Sequence, residues 1–345
     1  MRKQLLDVVA CPVCRGDLTL DAAAAAAAAD AHIEEGTLTC RGCARAYPVR
    51  RGVPVLLPER SPAEDEGWSF NRQWRLRFAG QLEEGNWLWG WDLSRISYRA
   101  PATDCWHLDC GSGSGDHTRN TALQNPRNQV VGLDRSDSVY FASQRDRDIT
   151  NLHYVRGDIL QPPFRDASFK VLIAVGSLHA SGDTRRALLN ALGLVQGGGV
   201  IATWLYPNLD DLRELASGRS ERSGIGVLTK TMQQHYKTWR RYYFFRDYLF
   251  FGRGHQLAPR LQIQLCKLVG LALTPFVHVA DFEVPKLPKL RDRYRSNTFV
   301  LLDNISPTHQ DRPPKQEVLS WFHEAGVNRV VHNYRRGGVY FATKA

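Results

Sequence analysis

Short apolar runs alternate with amphipathic segments through the middle of this chain. After Cys105, each apolar run is followed by a segment whose apolar residues recur at helical spacing. This alternation predicts parallel strands joined by crossover helices, which is the pattern of an α/β fold. The predicted strands are 106–108, 129–134, 154–158, 171–175 and 199–205.

The alternation stops near residue 207 and does not return before residue 295. This region contains a basic and aromatic stretch at 235–246 and a longer apolar segment at 261–279. Together they predict a helical insertion. Such an insertion either packs as a helix pair on the edge of the sheet or forms a lid over the substrate.

The end of the chain again shows regular patterning. A helix is predicted over 316–325, with Gly326 as its C-terminal stop. Two apolar runs at 329–334 and 339–342 then predict a hairpin. We expect this helix and hairpin to complete the sheet.

Four of the seven cysteines lie in the first 43 residues, as two CxxC pairs. Each pair can hold one face of a tetrahedral ion, so the pattern predicts a structural zinc site in a small ribbon. Because all four ligands would be thiols, the ion has no open position for catalysis and would serve to fold the ribbon. Unligated or redox-active thiols are the alternative. The four predicted ligands are Cys11, Cys14, Cys40 and Cys43.

The segments around the cysteines set the domain boundaries. An eight-alanine run at 22–29 predicts a loop or short helix at the tip of the ribbon, and 47–49 and 53–58 predict its closing strands. A polar linker follows at 61–67. The aromatic-rich segment 68–93 predicts a packed helix or, alternatively, a surface that stacks on substrate. The predicted units are a ribbon at 1–60, a linker with the aromatic segment at 61–98, a core at 99–206, the insertion at 207–296 and the tail at 297–345.

Composition narrows the class of protein only a little. The 345 residues are 43% hydrophobic and 23% charged, which is typical of a soluble globular protein. The net charge of +10 favours an acidic partner such as nucleic acid, a phospholipid surface or an anionic substrate, or else an ordinary basic enzyme. The apolar stretch at 5–10 is too short for a signal peptide, and 261–279 carries too many polar residues to span a membrane. We therefore expect a cytoplasmic protein with no membrane span.

The first predicted strand ends in an acid and alternating glycines, which is the most informative motif of the chain. Glycine is needed where backbone must turn sharply and lie against a ligand. The motif is typical of a nucleotide-like cofactor site and allows both a nicotinamide dinucleotide and S-adenosylmethionine. Its residues are Asp109, Gly111, Gly113 and Gly115.

Three further acids favour S-adenosylmethionine. Asp134 ends the second strand, where a carboxylate accepts hydrogen bonds from two ribose hydroxyls. Asp116 follows the glycine loop, where it would repel a pyrophosphate but attract a sulfonium or an ammonium. Asp158 ends the third strand at a height suited to an adenine amino group. The alternatives are a strand-capping role for Asp134 and a surface loop position for Asp158.

The segment 108–175 resembles a class I S-adenosylmethionine-dependent methyltransferase. The resemblance rests on the glycine loop, Gly132-x-Asp134, Gly157-Asp158, 163–169, 176–179 and the glycines at 197–199. It implies a Rossmann-like sheet, mostly parallel with one antiparallel strand, and S-adenosylmethionine as the cofactor. The cofactor-binding residues that it implies are Asp109, Gly111, Gly113, Gly115, Asp134, Asp158 and Gly176.

The N-terminal region carries a second resemblance. The series Cys-Pro-Val-Cys, Tyr-Pro-Val and Val-Pro-Val-Leu-Leu-Pro is similar to the small zinc-ribbon activator subunit of tRNA, rRNA and release-factor methyltransferases, here fused to the same chain. The tail at 303–326 resembles bacterial methyltransferases that carry both modules. The resemblance is weakest across the insertion, where we expect substrate choice to be made.

Candidates for the chemistry of transfer are few. Displacement at a sulfonium mainly requires alignment of the nucleophile, and a general base is needed only for some acceptors. His179, just past the fourth strand, is the best-placed base, although a structural histidine is an equal alternative. Asp303, His309 and Gln310 are expected on a loop that closes over the acceptor.

Three functions fit these observations. The first is a methyltransferase for a small molecule such as a sugar or a natural-product scaffold, favoured by the aromatic insertion and the tail. The second is an rRNA or tRNA methyltransferase, favoured by the net charge and the ribbon. The third is a non-catalytic interaction protein, which the intact acids Asp109, Asp134 and Asp158 disfavour.

Overall fold

The computed structural model describes the ribbon, most of the core and the tail, and parts of the insertion. The alanine run at 22–29, the linker at 61–67 and most of the basic and aromatic stretch lie outside the described residues. The described residues are 1–21, 31–58, 68–81, 103–217, 236–237, 240, 243–244, 247–248, 253–275, 289–333 and 338–345.

The N-terminal ribbon is an antiparallel sheet of four short strands. They are β1 (Leu18–Leu20), β2 (Gly36–Cys40), β3 (Ala46–Arg50) and β4 (Val53–Leu56). Arg51 and Gly52 join β3 to β4, and both have positive φ (51° and 76°), as a two-residue type I′ hairpin requires. The closing strands predicted for the ribbon are therefore present.

The remaining helices and strands follow the predicted order. All five predicted core strands form, and most of them are longer than the apolar runs that indicated them. The predicted C-terminal helix and hairpin are also present. The elements are α1 (Trp68–Phe78), β5 (Trp106–Cys110), α2 (Asp116–Gln124), β6 (Gln129–Asp134), α3 (Ser138–Arg145), β7 (Leu152–Gly157), β8 (Phe169–Val175), α4 (Thr184–Leu194), β9 (Val195–Leu205), α5 (Leu209–Ala216), α6 (Pro259–Leu273), α7 (Leu290–Ile305), α8 (Lys315–Glu324), β10 (Val330–Asn333) and β11 (Gly338–Thr343).

The strands form one sheet in the order β1-β2-β3-β4-β7-β6-β5-β8-β9-β11-β10. Strands β7, β6, β5, β8 and β9 are parallel neighbours. Among the described strands of this core, β11 alone runs antiparallel to the rest. Strand β10 is antiparallel to β11 and therefore has the same direction as the parallel strands. This confirms the predicted α/β sheet, mostly parallel with one antiparallel strand.

The ribbon and the core share this sheet, which the sequence did not predict. Strand β4 pairs in parallel with β7, with Val55 opposite Arg156. Leu5 of the ribbon and Phe164 of the core are both fully buried in one hydrophobic cluster. The ribbon is thus packed as an extension of the core.

The described part of the insertion contains the helices α5, α6 and the start of α7. Helices α6 and α7 pack on each other, and Cys266 and Phe299 bury in the same cluster as Trp204 of β9. The predicted boundary between insertion and tail, at 296/297, falls inside α7, so the two units are continuous there. No helix in the described ranges is long and apolar enough to cross a membrane.

Candidate functional site

A large cavity opens at the carboxyl ends of the parallel strands. Ligands of open α/β sheets bind at this edge, because the loops that leave the strands can approach them there. Its described lining comes from the ends of β5, β6, β7, β8 and β9, from α1 and α7, and from residues 307–309. The cavity therefore gathers segments from across the chain.

Two glycines of the loop, Gly111 and Gly113, line the cavity. Gly111, Gly113 and Gly115 have φ of +85°, +52° and +77°, which favour glycine. A Cβ added to Gly111 would lie 2.2 Å from the Cβ of Ser177, and one at Gly113 would lie 2.6 Å from the Trp74 ring. Any side chain in the loop would collide with its neighbours. The predicted residue Gly176 lines the cavity at the end of β8, also with positive φ.

Asp109 lies at the base of the loop. Its side chain is buried, and its Oδ2 accepts a hydrogen bond of 2.7 Å from the Thr118 hydroxyl. Burial raises the pKa of this carboxyl to about 6, helped by the nearby charge of Asp134 and opposed by the hydrogen bond. Asp109 therefore changes charge near neutral pH.

Asp134 is held in place by the loop that it faces. Its Oδ2 accepts the Gly113 N–H at 2.8 Å, and its Oδ1 accepts the N–H and hydroxyl of Ser136 at 2.8 and 2.6 Å. Each carboxylate oxygen has further lone-pair capacity for a ligand. The carboxylate is therefore oriented toward the cavity that it lines.

Asp158 lies two strands away from the glycine loop, just past the end of β7. Its Oδ1 accepts the Leu160 N–H at 2.8 Å, and its Oδ2 lies 3.9 Å from the Arg135 guanidinium. The side chain is largely buried and lines the same cavity. The three acids Asp109, Asp134 and Asp158 thus occupy successive positions along the edge of the sheet.

Asp116 does not have the role expected for it. Its carboxylate forms ion pairs with Arg77 of α1 and with Arg145 of α3, the latter at 2.6 Å. It is absent from the described lining of the cavity. Two guanidinium groups balance its charge, so Asp116 fastens α1 to the loop and does not attract a cationic cofactor.

Helix α1 covers the cavity. The two interpretations of the aromatic segment were a packed helix and a surface in contact with the site, and α1 has features of both. Phe70 and Trp74 line the cavity, and Trp74 also packs on Phe299 of α7 with a ring separation of 5.8 Å. The helix is both packed and in contact with the site. Trp87, Trp89 and Trp91 of the same segment lie outside the described residues.

The end of the cavity beside β9 is lined by a carboxylate and aromatic rings. Asp303 lies in the last turn of α7 and not on a loop, which corrects the expectation. Its Oδ1 accepts the Gln73 amide at 3.0 Å, and its Oδ2 accepts the Tyr206 hydroxyl at 2.9 Å. His309 lines the cavity as well, with its ring against Gly182.

Three predicted residues lie away from the described lining, namely Gly115, His179 and Gln310. Gln310 lies 3.4 Å from the Arg312 guanidinium and is absent from the lining. His179 is 2% exposed and stacks on the Tyr206 ring at 3.9 Å, which places it behind that ring. Burial lowers the pKa of His179 to about 3, so the imidazole is neutral.

Sequence reasoning missed Gln73 and the ring of Tyr206, and it did not single out Phe299. One signal was available: Phe299 and Asp303 are four residues apart, a spacing that places two side chains on one helix face. Tyr206 directly follows the fifth predicted strand, at the functional edge of the sheet. The described residues give no support to the lid interpretation of the insertion, because none of those within 207–296 lines the cavity.

The four N-terminal cysteines come together as predicted. Their Sγ atoms all lie within 4.8 Å of one another, with 3.7 Å between Cys11 and Cys43 and 3.4 Å between Cys14 and Cys40. A tetrahedral zinc with bonds of about 2.3 Å sets its sulfurs roughly 3.8 Å apart, so the cluster fits such an ion. The Tyr47 hydroxyl lies 3.1 Å from the Cys11 Sγ, so it would hydrogen-bond to a thiol that ligates such an ion.

The pKa of Cys11 is lowered to about 6. Burial raises this pKa, but hydrogen bonds from the Tyr47 hydroxyl and from the backbone of Cys14 and Val13 lower it by more than burial raises it. The backbone of Gly16 lowers the pKa of Cys14, but hydrogen bonds with Cys40 and Cys43 raise it to about 12, so the environment does not lower the pKa of all four thiols.

Two family models match the chain. One described as Trm112p-like protein matches residues 2–52, and one described as methyltransferase domain matches residues 108–203. A UPF0434 protein of Vibrio vulnificus is 45% identical over 69 residues, which are 19% of this chain and 98% of that protein. A UPF0434 protein of Shewanella putrefaciens is 42% identical over 59 residues, 17% of this chain and 81% of that protein.

Solved structures resemble the chain more distantly. The CurJ carbon methyltransferase is 15% identical, with 71% of this chain and 50% of that chain covered and a TM-score of 0.39. The N-methyltransferase NodS of Bradyrhizobium japonicum, in complex with S-adenosyl-L-homocysteine, is 20% identical, with 44% and 74% covered and a TM-score of 0.34. Both scores are low.

The sheet, the glycine loop and the matching methyltransferase domain define a class I S-adenosylmethionine-dependent methyltransferase. The chain belongs to the UPF0434 family of Trm112p-like proteins through its N-terminal domain, and it carries the methyltransferase domain in the same polypeptide.

Proposed function

We propose that this enzyme transfers a methyl group from S-adenosylmethionine to a small-molecule acceptor bound beside Asp303, at the end of the cavity next to β9. The observation that carries the proposal is the lining of this end of the cavity, which combines side chains from α1, α7 and the residue after β9. A concave cavity lined by apolar side chains and a few polar groups suits a small ligand.

The residues fit the cofactor in the order of the strands. Asp158 beside β7 would meet the adenine, Asp134 at the end of β6 the ribose hydroxyls, and Asp109 below the glycine loop the ammonium. The cofactor supplies an electrophilic methyl group on a sulfonium. The chain aligns the acceptor with that methyl group, which is the main requirement of an in-line displacement.

The charges of the cavity favour a small molecule over RNA. Its described lining has four carboxylates, those of Asp109, Asp134, Asp158 and Asp303, and one arginine, Arg135. A polyanion would be repelled at such an opening. RNA remains the competing acceptor because of the net charge of +10 and the Trm112p-like domain.

The role of His179 follows from its position. A general base must reach the proton that it removes. His179 is stacked behind Tyr206, whose hydroxyl meets Asp303, so its proposed role is to support that tyrosine. The proposed substrate-binding residues are Asp303 and His309, while Gln310 would act through Arg312.

We also propose that the four-cysteine cluster binds structural Zn²⁺. Four thiols within 4.8 Å suit a closed tetrahedral site, which leaves no position for a substrate. The ion would stabilise the ribbon and, through the shared sheet, the core.

Calorimetry with S-adenosylhomocysteine tests the cofactor site. Asp134→Ala should weaken binding by roughly 10- to 100-fold, because two hydrogen bonds to a charged group are lost. Asp148→Ala is the matched control, since that side chain is 96% exposed. Unchanged affinity of the Asp134→Ala variant would place the ribose elsewhere.

A salt series tests the acceptor class. Methylation of a small molecule should vary little with salt, whereas transfer to RNA should fall steeply, because each phosphate contact releases counterions. Labelled methyl transfer to bulk tRNA and rRNA with a steep salt slope would favour RNA and overturn the small-molecule proposal.

A further inference from the structure

Exposed leucines gather on one part of the surface, away from the cavity. Nine large apolar side chains are exposed among the described residues, and four of these nine lie on α6 or at the start of α7. Exposed apolar side chains that cluster, unlike single ones, mark an interaction surface. We call the four the leucine patch: Leu261 (47% exposed), Leu268 (64%), Leu271 (61%) and Leu290 (63%).

The three leucines of α6 share one side of the helix. Leu261, Leu268 and Leu271 are spaced by seven and three residues, which is the spacing of a single helix face. On the other side of the helix, Gly270 lies so close to α7 that an added Cβ would be 2.7 Å from the Thr298 Oγ1. Helix α6 therefore packs on the protein with one side and exposes leucines on the other.

The fourth leucine lies where the start of α7 meets the end of α6. Arg293 of α7 donates to the carbonyl of Thr274, which follows α6, at 3.4 Å. Leu290 precedes Arg293 by three positions and Leu271 precedes Thr274 by three, which is less than one helical turn in each case. The exposed side of α6 thus continues onto α7.

Basic residues flank the leucine patch. Helix α6 carries Arg260 and Lys267 and no acidic residue. Residues 289–295 add four basic residues and one acid. Arg260, Lys289 and Arg291 are exposed. The patch therefore combines exposed apolar side chains with an excess of positive charge.

We propose that the leucine patch binds the surface of an anionic lipid membrane, with α6 lying in the plane of the interface. Leucines that enter the boundary between headgroups and acyl chains leave water, and the flanking lysine and arginine side chains reach the negative headgroups. The 15 residues of α6 are fewer than the roughly 20 that span a bilayer, so the helix lies on the membrane and does not cross it. This binding is separate from methyl transfer.

Charge argues against a contact between two copies of this chain through the same patch. A two-fold symmetric contact sets a surface against itself. The basic residues of one copy would then face those of the other, and such a juxtaposition of like charges is costly. Anionic headgroups complement the same charges, while the acyl chains beneath them accept the leucines.

Vesicle flotation with the full chain tests the proposal. The chain should bind vesicles of an equimolar mixture of phosphatidylglycerol and phosphatidylcholine roughly tenfold or more tightly than vesicles of phosphatidylcholine alone, because each basic residue near an anionic surface adds to the attraction. Added salt should weaken this binding, since it screens the charges. No binding to the anionic vesicles would overturn the proposal.

Paired substitutions locate the binding. Leu268→Gln/Leu271→Gln should weaken binding to the anionic vesicles by roughly tenfold or more, because two apolar side chains no longer enter the interface. Leu123→Gln is the matched control and should bind like the wild-type chain, since Leu123 is 51% exposed but lies on α2. Equal binding of the paired variant and the control would mean attraction by charge alone and would overturn the role of the leucines.

A second pair and a measurement without lipid complete the test. Lys289→Gln/Arg291→Gln leaves every leucine in place and should also weaken binding to the anionic vesicles by roughly tenfold. Circular dichroism checks that both paired variants melt like the wild-type chain. Analytical ultracentrifugation should show a monomer. A dimer that Leu268→Gln/Leu271→Gln dissociates would assign the patch to a second copy and overturn the membrane proposal.

Discussion

The proposed role of Asp109 in cofactor binding predicts a dependence on pH. Burial raises the pKa of its carboxyl to about 6, whereas an aspartate in an unfolded chain titrates near 3.9. The folded state therefore binds the proton more tightly. The resulting contribution to stability is full below about pH 4 and is lost as the pH rises through about 6.

The affinity for S-adenosylhomocysteine should follow the charge of Asp109. An ammonium binds the ionised carboxylate, so affinity should be about tenfold weaker at pH 5 than at pH 7, in line with the ionised fraction for a pKa of 6. Calorimetry at pH 5, 6 and 7 measures this. Asp109→Asn should bind weakly with little pH dependence; an unchanged slope in that variant would assign the titration to another group.

His179 shows how far residue-level prediction can reach. Its position after the fourth strand was predicted correctly, since the apolar run defines where β8 ends. The following turn, Leu178–Ala180, buries the imidazole behind Tyr206. Sequence spacing identifies the end of a strand but does not identify which face of the next turn meets the cavity.

Helix α1 is the element that closes the site. Arg75 pairs with Asp137, and Arg77 pairs with Asp116 at the start of α2. Trp74 directly precedes Arg75 in sequence and covers Gly113. The two ion pairs hold the helix over the glycine loop.

Loosening these ion pairs should weaken cofactor binding. We expect the double variant Arg75→Ala/Arg77→Ala to lower S-adenosylhomocysteine affinity by roughly 3- to 10-fold, because partly exposed ion pairs each contribute up to about 1 kcal/mol. Isothermal titration measures this, with Arg127→Ala as the control, since its ion pair with Asp104 is exposed and distant from α1. Equal affinity of the double variant and the control would show that α1 is held by its packing alone.

At the scale of the whole molecule, the ribbon and the core behave as one folded body. Strand β4 extends the parallel sheet through β7, and the Arg2 side chain donates to the Arg147 carbonyl at 2.9 Å. A backbone hydrogen bond of 3.0 Å joins Ala10 to Pro163. Loss of order in the ribbon should therefore reach the core.

Removal of the proposed structural ion should destabilise the entire chain. Chelation, or Cys40→Ser, should lower the midpoint of a single thermal transition by about 7 °C, as a loss of roughly 5 kcal/mol implies for a chain of 345 residues. Near-ultraviolet circular dichroism follows the unfolding of the core, and metal analysis follows the loss of the ion from the ribbon. Cys105→Ser, outside the cluster, is the control. Two separate transitions, with the core transition unmoved, would contradict the shared fold.

Local pattern was enough to predict much of this protein. Apolar runs located the strands, alternating glycines located the turn beneath the cavity, and CxxC spacing located the thiol cluster. Each of these features depends on residues near each other in sequence, or on a motif whose chemistry requires a certain residue type. Periodicity and spacing report such local constraints directly.

Contacts between distant segments needed the folded chain. Gln73 meets Asp303 across 230 positions, Arg77 neutralises Asp116, and β4 joins β7. Hydrophobic pattern shows that a helix or strand has a buried face, but it does not specify which surface covers that face. The glycine loop could therefore be located from the sequence, whereas the lining of the cavity beside β9 required the packing of α1 and α7 over the sheet.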